Sequence, residues 1–90
     1  MNKARRNSIQ KVIDKLTSLK SFLENVESDV ENILDEETEC LDNIPENLQS
    51  SQRYTQAENA CDSLGTAQDD LSDLKDSIDE IISSLEDAAQ

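Results

Sequence analysis

Apolar residues in the first half of the chain step by three and four through Ile9, Val12, Leu16, Leu19, Leu23, Val26, Val30 and Ile33. They skip at Glu37 and resume at Cys40 and Ile44. The second half repeats the rhythm through Ala57, Ala60, Leu64, Ala67, Leu71, Leu74, Ile78, Ile81, Leu85 and Ala88, with no change of phase across Gly65. Such spacing keeps one stripe of a helix turned toward a partner helix over many turns, which marks coiled-coil-like packing. Between the two runs stands the only proline, Pro45. The pattern therefore predicts an all-α fold: a helix over about 3–42, a turn over about 43–46 and a helix over about 47–89. Together they make one antiparallel hairpin domain spanning residues 1–90. Proline suits a first helical turn, and Glu46 suits the positive end of the helix that follows. Thr66 and Asp69 behind Gly65 resemble a capping pair, but the stripe stays in register there, so the second helix is expected to be continuous or mildly kinked.

The stripe is wider than one partner covers. Ile13, Leu34 and Leu41 broaden it on the first helix, Cys61 and Ile82 broaden it on the second, and Phe22 sits on the opposite flank. Two faces of each helix want cover, which predicts that hairpins pair into a four-helix or larger homo-oligomeric bundle. An isolated, half-exposed hairpin is the plainer alternative.

Composition agrees with this picture without extending it far. Ninety residues allow one domain with a thin core. Leu, Ile, Val and Phe number 21 of 90, close to the level at which a highly charged chain stays disordered. A disordered acidic tail has no reason to hold a three-four rhythm for five heptads, so the periodicity decides for helices. No apolar run reaches membrane-spanning length, no signal-like start and no Asn-x-Ser/Thr acceptor occur, and an intracellular, cytoplasmic location is expected. Folding at Pro45 sets residue i beside residue 90 − i, which places Cys61 near position 29 and Cys40 near position 50. At about 1.5 Å of rise per residue the sulfurs then stand on the order of 16 Å apart, too far for a bridge within one hairpin. Both cysteines read as small buried hydrophobes, with an intersubunit disulfide or metal contact as the alternative.

Charge is the second informative feature. The net charge of −13 divides into +5 over residues 1–20 and −18 over residues 21–90, where only Arg53 and Lys75 are basic. The helix dipole favours the reverse order on the first helix. Antiparallel folding predicts that Arg5, Arg6, Lys11 and Lys15 lie beside Asp76, Asp79, Glu80, Glu86 and Asp87. Such pairs would exclude a parallel arrangement more than they stabilise the antiparallel one. Arg5 and Arg6 could instead form a phosphate-binding arm, although the surrounding acid repels polyanions, so direct nucleic-acid binding is not expected. Glu24, Glu27, Glu31, Asp69, Asp73, Asp76 and Glu80 form an acidic face. A solvated helix surface accounts for them. Equally, 18 net charges along about 60 Å give roughly one per 3.3 Å, and two hairpins side by side approach the one per ~1.7 Å of duplex DNA. The same face can thus serve as a nucleic-acid mimic.

The segment Asn47–Gln56 is mostly uncharged hydrogen-bonding residues and holds the only tyrosine. Ser50 and Arg53 fall where the heptad wants apolar residues, so Gln49, Ser50, Arg53 and Tyr54 are candidates to contact a ligand at a subunit junction. Arg53 would take a phosphate and Tyr54 would stack on a base. A wet, loosely packed hairpin end explains them equally. Catalysis finds no support: the chain lacks histidine, a nucleophile elbow, a glycine-rich phosphate loop, a calcium loop and ligands at metal spacing, and no cofactor is implied.

The basic start Asn2-Lys3-Ala4-Arg5-Arg6, the turn Asp42–Gln49 with Ser51 and Arg53 after it, and the alanine-leucine-acid heptads of the second half carry a resemblance. The chain resembles small acidic helical proteins of phages and prophages of Gram-positive bacteria. That resemblance implies a non-enzymatic antagonist of host defence, in the cytoplasm of a bacterial host. Either its acidic face occupies the nucleic-acid-binding surface of a host protein, or the oligomer sequesters a cyclic nucleotide using Arg53, Tyr54 and the basic arm. A structural scaffold whose partners are helices is the third possibility.

Overall fold

The computed structural model describes all of residues 1–90 and contains two long helices, α1 (Lys3–Asp42) and α2 (Gln52–Ala88), joined by a connection with one 3-10 turn at Glu46–Leu48. The helices pack side by side in an extended body measuring 70 × 16 × 13 Å. This is the all-α helical hairpin that the periodicity predicts. Gly65 lies within α2 without interrupting it.

Local chemistry sets the ends. The Asn2 side chain accepts a hydrogen bond from the Arg5 N–H at 2.8 Å and caps α1. α1 ends at Asp42 with Asn43 as its C-cap, and Pro45 disfavours helical backbone at the residue before it, Ile44. Pro45 then has an extended ψ of 146°, so it does not open α2 as its φ of −57° alone would allow. The chain instead makes a single 3-10 turn, and Ser51, in extended backbone, caps α2 by accepting from the Tyr54 N–H at 3.2 Å. The second helix therefore begins five residues later than residue 47. No residue in the connection needs a positive φ, which is why it contains no glycine.

The longer connection moves the register. Lys20 meets Asp79, Glu27 meets Lys75 and Thr38 meets Cys61. Positions at one level therefore add to about 100 rather than 90, because the chain reverses around residue 50 and not at Pro45. Three expectations change with it. Lys3, Arg5 and Arg6 project past the end of α2, and residues 1–8 are all exposed. The predicted ladder from Arg5, Arg6, Lys11 and Lys15 to the acidic end of α2 is not formed, and the ion pairs across the hairpin are Lys20–Asp79 at 2.8 Å and Lys75–Glu27 at 2.7 Å. Cys61 lies against Thr38, with Sγ 3.8 Å from Oγ1, so it stands near the level of Cys40 and not about eleven residues away. Both thiols are free, and Cys40 is exposed rather than a buried hydrophobe.

The packed seam also differs from the most apolar stripe. Half-buried or buried positions recur on α1 at 9, 13, 16, 20, 23, 27, 30, 34, 37 and 41, and on α2 at 54, 57, 61, 64, 68, 71, 75, 78, 82 and 85; outside this rhythm only Val26, Ala60 and Gly65 are also half-buried within the helices. The broadening residues Ile13, Leu34, Leu41, Cys61 and Ile82 are thus part of the seam, and with Lys20, Glu27, Tyr54, Gln68 and Lys75 they make up half of it. Only Ile13 and Ile78 are buried, at 8% and 4% exposure, so two helices alone enclose almost no core.

Candidate functional site

The line Val12, Leu19, Val26, Ile33, Cys40 on α1 and the line Ala60, Ala67, Leu74, Ile81, Ala88 on α2 each precede a seam line by one residue. An antiparallel pair is related by a two-fold axis normal to the plane of its helices, so these two equivalent lines fall on the same side of the seam. They are also level with each other, as position pairs adding to about 100 require. Eight large apolar side chains are exposed in the whole chain: Met1 and Leu48 at the ends, and Val12, Leu19, Phe22, Ile33, Leu74 and Ile81 within the helices. Five of those six lie on the two lines. The sixth, Phe22, is 63% exposed and borders the same strip, three residues from Leu19 and four from Val26. One side of the hairpin is therefore a continuous apolar strip.

The other side is polar. There Thr17, Glu24, Glu31 and Thr38 of α1 lie beside Glu58, Gly65, Ser72, Asp79 and Glu86 of α2. Of the predicted acidic face, Glu24, Glu31, Asp69, Asp73, Asp76 and Glu80 are exposed. Glu27 is not free. It accepts from the Lys75 ammonium across the seam, and this hydrogen bond is the main reason the Lys75 pKa stands above the ordinary lysine value. Desolvation opposes the rise, while the charges of Glu27, Glu24 and Asp76 add to it.

The predicted ligand-contacting residues divide between the two tips. Arg5 and Arg6 stand on the overhang of α1, and Gln49, Ser50, Arg53 and Tyr54 stand at the turn end of a body 70 Å long, so one chain does not bring them together. At the turn end Arg53 lines two adjoining concavities. One, of about 340 Å³, is formed with Cys40, Asn43, Ile44, Pro45, Leu48 and Ser51; the other, of about 280 Å³, adds Glu37, Gln56 and Ala57. Arg53 makes no ion pair, whereas Tyr54 is half-buried on the seam line and lines neither concavity. Gln49 and Ser50 are exposed and likewise outside them. The group offers one unpaired guanidinium over a partly apolar hollow. Its neighbour Ser51, which sequence reasoning passed over, both caps α2 and lines the hollow; a serine three residues before the first seam residue was the available signal.

No three metal-binding side chains come together, and no helix is long and apolar enough to cross a membrane. Compared with protein-family models, curated proteins and solved structures, the chain shows no match.

Proposed function

We propose that this chain is a non-enzymatic, homo-oligomeric interaction protein of phage type that binds and neutralises a host component, its acidic surface standing in for nucleic acid on a basic protein surface. The observation that carries this reading is the two-sidedness of the hairpin. Apolar side chains collect on one strip, while Glu24, Glu31, Asp69, Asp73, Asp76 and Glu80 face solvent elsewhere. Beyond residue 20 only Lys75 and Arg53 oppose the acids, and Lys75 is engaged by Glu27. The outer surface is left with a long run of uncompensated carboxylates. Nothing in that arrangement desolvates a carboxylate for proton transfer, which favours binding over catalysis. A basic partner surface that neutralises these carboxylates releases the cations gathered around them, as it would on a nucleic acid.

The test begins by recovering bound proteins from a Gram-positive bacterial lysate on the immobilised chain. The affinity of each recovered protein is then measured against salt from 50 to 300 mM and against competing duplex DNA. Steep weakening with salt, displacement by DNA, and loss of affinity in a Glu24→Gln, Glu31→Gln, Asp73→Asn, Asp76→Asn variant are expected. Salt-independent binding that DNA does not contest would reject the mimicry. Calorimetry with a cyclic-nucleotide panel addresses the second reading, which rests on the unpaired Arg53 at its hollow; heat there with silence in the protein assay would replace the first reading with the second.

A further inference from the structure

We infer that the apolar strip is the seat of a second copy of this chain, docked strip to strip and end for end, so that the basic tip of each hairpin lies on the acidic turn end of the other. This rests on the homo-oligomer reading above and fixes its face and orientation.

Area comes first. The strip runs from the level of Val12 to that of Cys40, about 42 Å at 1.5 Å per residue, across a body 16 Å wide. That is on the order of 700 Å², close to the ~800 Å² per partner of a standard stable interface. Its six exposed large side chains are also the only ones within either helix. A second copy brings an identical strip, and facing strips would form a four-helix bundle that buries the apolar side of each hairpin and leaves its polar side in solvent.

Two closed arrangements place strip on strip. A two-fold axis along the hairpin sets like ends together; an axis across it sets unlike ends together. Charge separates them. Residues 1–11 carry Lys3, Arg5, Arg6 and Lys11 with no acid, on the tip that projects past α2. Residues 35–46, at the turn end, carry six acids with no base, and Arg53 offsets only one of them. Like ends together oppose two basic tips and two acidic turns; unlike ends together join each basic tip to an acidic turn. Side-chain size agrees. The bulky layer of Leu19 and Ile81 then faces the layer of Ile33 and Ala67, and Val12 faces Cys40 and Ala60, so large meets small. Val26 and Leu74 lie at the axis.

Sedimentation equilibrium and disulfide trapping test the inference together, in a Cys40→Ser, Cys61→Ala background of the full chain. The wild-type chain is expected to sediment as a dimer, twice its 10.1 kDa. Leu19→Glu with Ile81→Glu is expected to raise the dimer dissociation constant at least a hundredfold, whereas Ser72→Glu on the polar side leaves it unchanged. Val26→Cys should form a homodimeric disulfide. Leu19→Cys and Ile33→Cys should each fail alone but cross-link when mixed, a result that does not depend on how well the glutamate variant folds. Cross-linking of Leu19→Cys to Ile81→Cys when the two are mixed, with none between Leu19→Cys and Ile33→Cys, would overturn the orientation, because an axis along the hairpin sets α1 of one copy on α2 of the other at the same level. An oligomer that survives Leu19→Glu, Ile81→Glu would overturn the face while leaving the homo-oligomer standing, and a wild-type monomer at 0.1 mM would overturn both.

Discussion

Lys75 Nζ lies 2.7 Å from Oε1 of Glu27, joining α2 to α1 on the seam itself, where coiled coils ordinarily place apolar side chains. Both side chains are mostly covered, and the ammonium is held charged by the carboxylate that accepts from it, which raises the Lys75 pKa above the ordinary value of 10.5. The folded hairpin therefore holds that proton more tightly than the unfolded chain does. The pair's contribution is complete below pH 10.5 and is lost as pH climbs through the raised folded value. Thermal melting should show a fall in Tm beginning above that pH, and Lys75→Met should melt with a flatter alkaline limb. An identical alkaline limb in the two proteins would mean that the pair does not couple folding to pH.

Removing both charges is a different experiment from removing one. Replacing Glu27 and Lys75 together by leucine gives the seam two apolar side chains at a site where charges must be desolvated, and a rise in Tm is expected. Register should suffer instead, since the pair defines which turns of α1 and α2 meet. A cysteine pair at Thr38 and Cys61 reports register directly: Thr38→Cys should form its disulfide cleanly in the parent and incompletely in the leucine double variant.

At Gly65 a Cβ would meet nothing within 4 Å, and the residue has ordinary helical backbone. Glycine in a helix interior costs roughly 0.5–1 kcal/mol relative to alanine. Gly65→Ala is therefore expected to stabilise the hairpin by about that amount, a gain of several degrees in Tm at roughly 4–8 °C per kcal/mol for a domain of this size. Because Gly65 lies on the polar side, the gain should come without a change in sedimentation. A loss of stability would mean that the open space beside Gly65 is occupied in solution.

The hairpin was legible in the sequence because its periodicity is long, and long periodicity constrains both the type of element and its ends. The limits of α1 follow from Asn2 and from the residue before Pro45. Two things were not legible. Pro45 has a φ that fits either a first helical turn or an extended residue before one, and composition does not say which; the start of α2, and with it a ten-residue shift in register, hangs on that ψ. Second, the two lines beginning at Ile9 and Val12 are more uniformly apolar than the line containing Lys20 and Glu27, so reading by hydrophobicity selects the wrong pair of lines for the seam. Two helices alone cannot bury three lines, and the packing of the helices decides which one stays outside. Of the candidate site, Arg53 was legible as an unpaired charge at an apolar position, whereas Tyr54 was not, since an aromatic on the seam and an aromatic at a ligand have the same spacing.

The two helix caps should respond unequally to removal. Ser51 caps a helix whose first turns pack against the connection and α1, so Ser51→Ala is expected to cost about 1 kcal/mol of global stability, read as a shift in urea midpoint without a change in slope. Asn2 caps an overhang that touches nothing in the same chain. Asn2→Ala should fray residues 3–8 and leave the urea midpoint of a dilute sample unmoved, with faster amide exchange confined to that segment. Equal midpoint shifts in both variants would show that the overhang is held.

Ile78 and Ile81 lie three residues apart on α2, at 4% and 50% exposure, and the difference between them separates packing within a hairpin from packing between hairpins. Ile78→Ala removes a side chain that α1 covers, and it should cost about 2 kcal/mol, at the low end for buried isoleucine because half-open neighbours can collapse into the space. That cost arises inside one chain and should be the same at every protein concentration. Ile81→Ala removes a side chain that α1 does not cover, so it should cost little in a dilute sample. Its cost should grow as concentration populates the partner that covers it, because anything that binds only the folded form adds stability by mass action. Denaturant melts of both variants and the parent at 1 and 100 µM chain make the comparison: the Ile78→Ala gap should stay constant and the Ile81→Ala gap should open. Two concentration-independent gaps would place Ile81 in solvent in the native protein and leave the strip without an occupant.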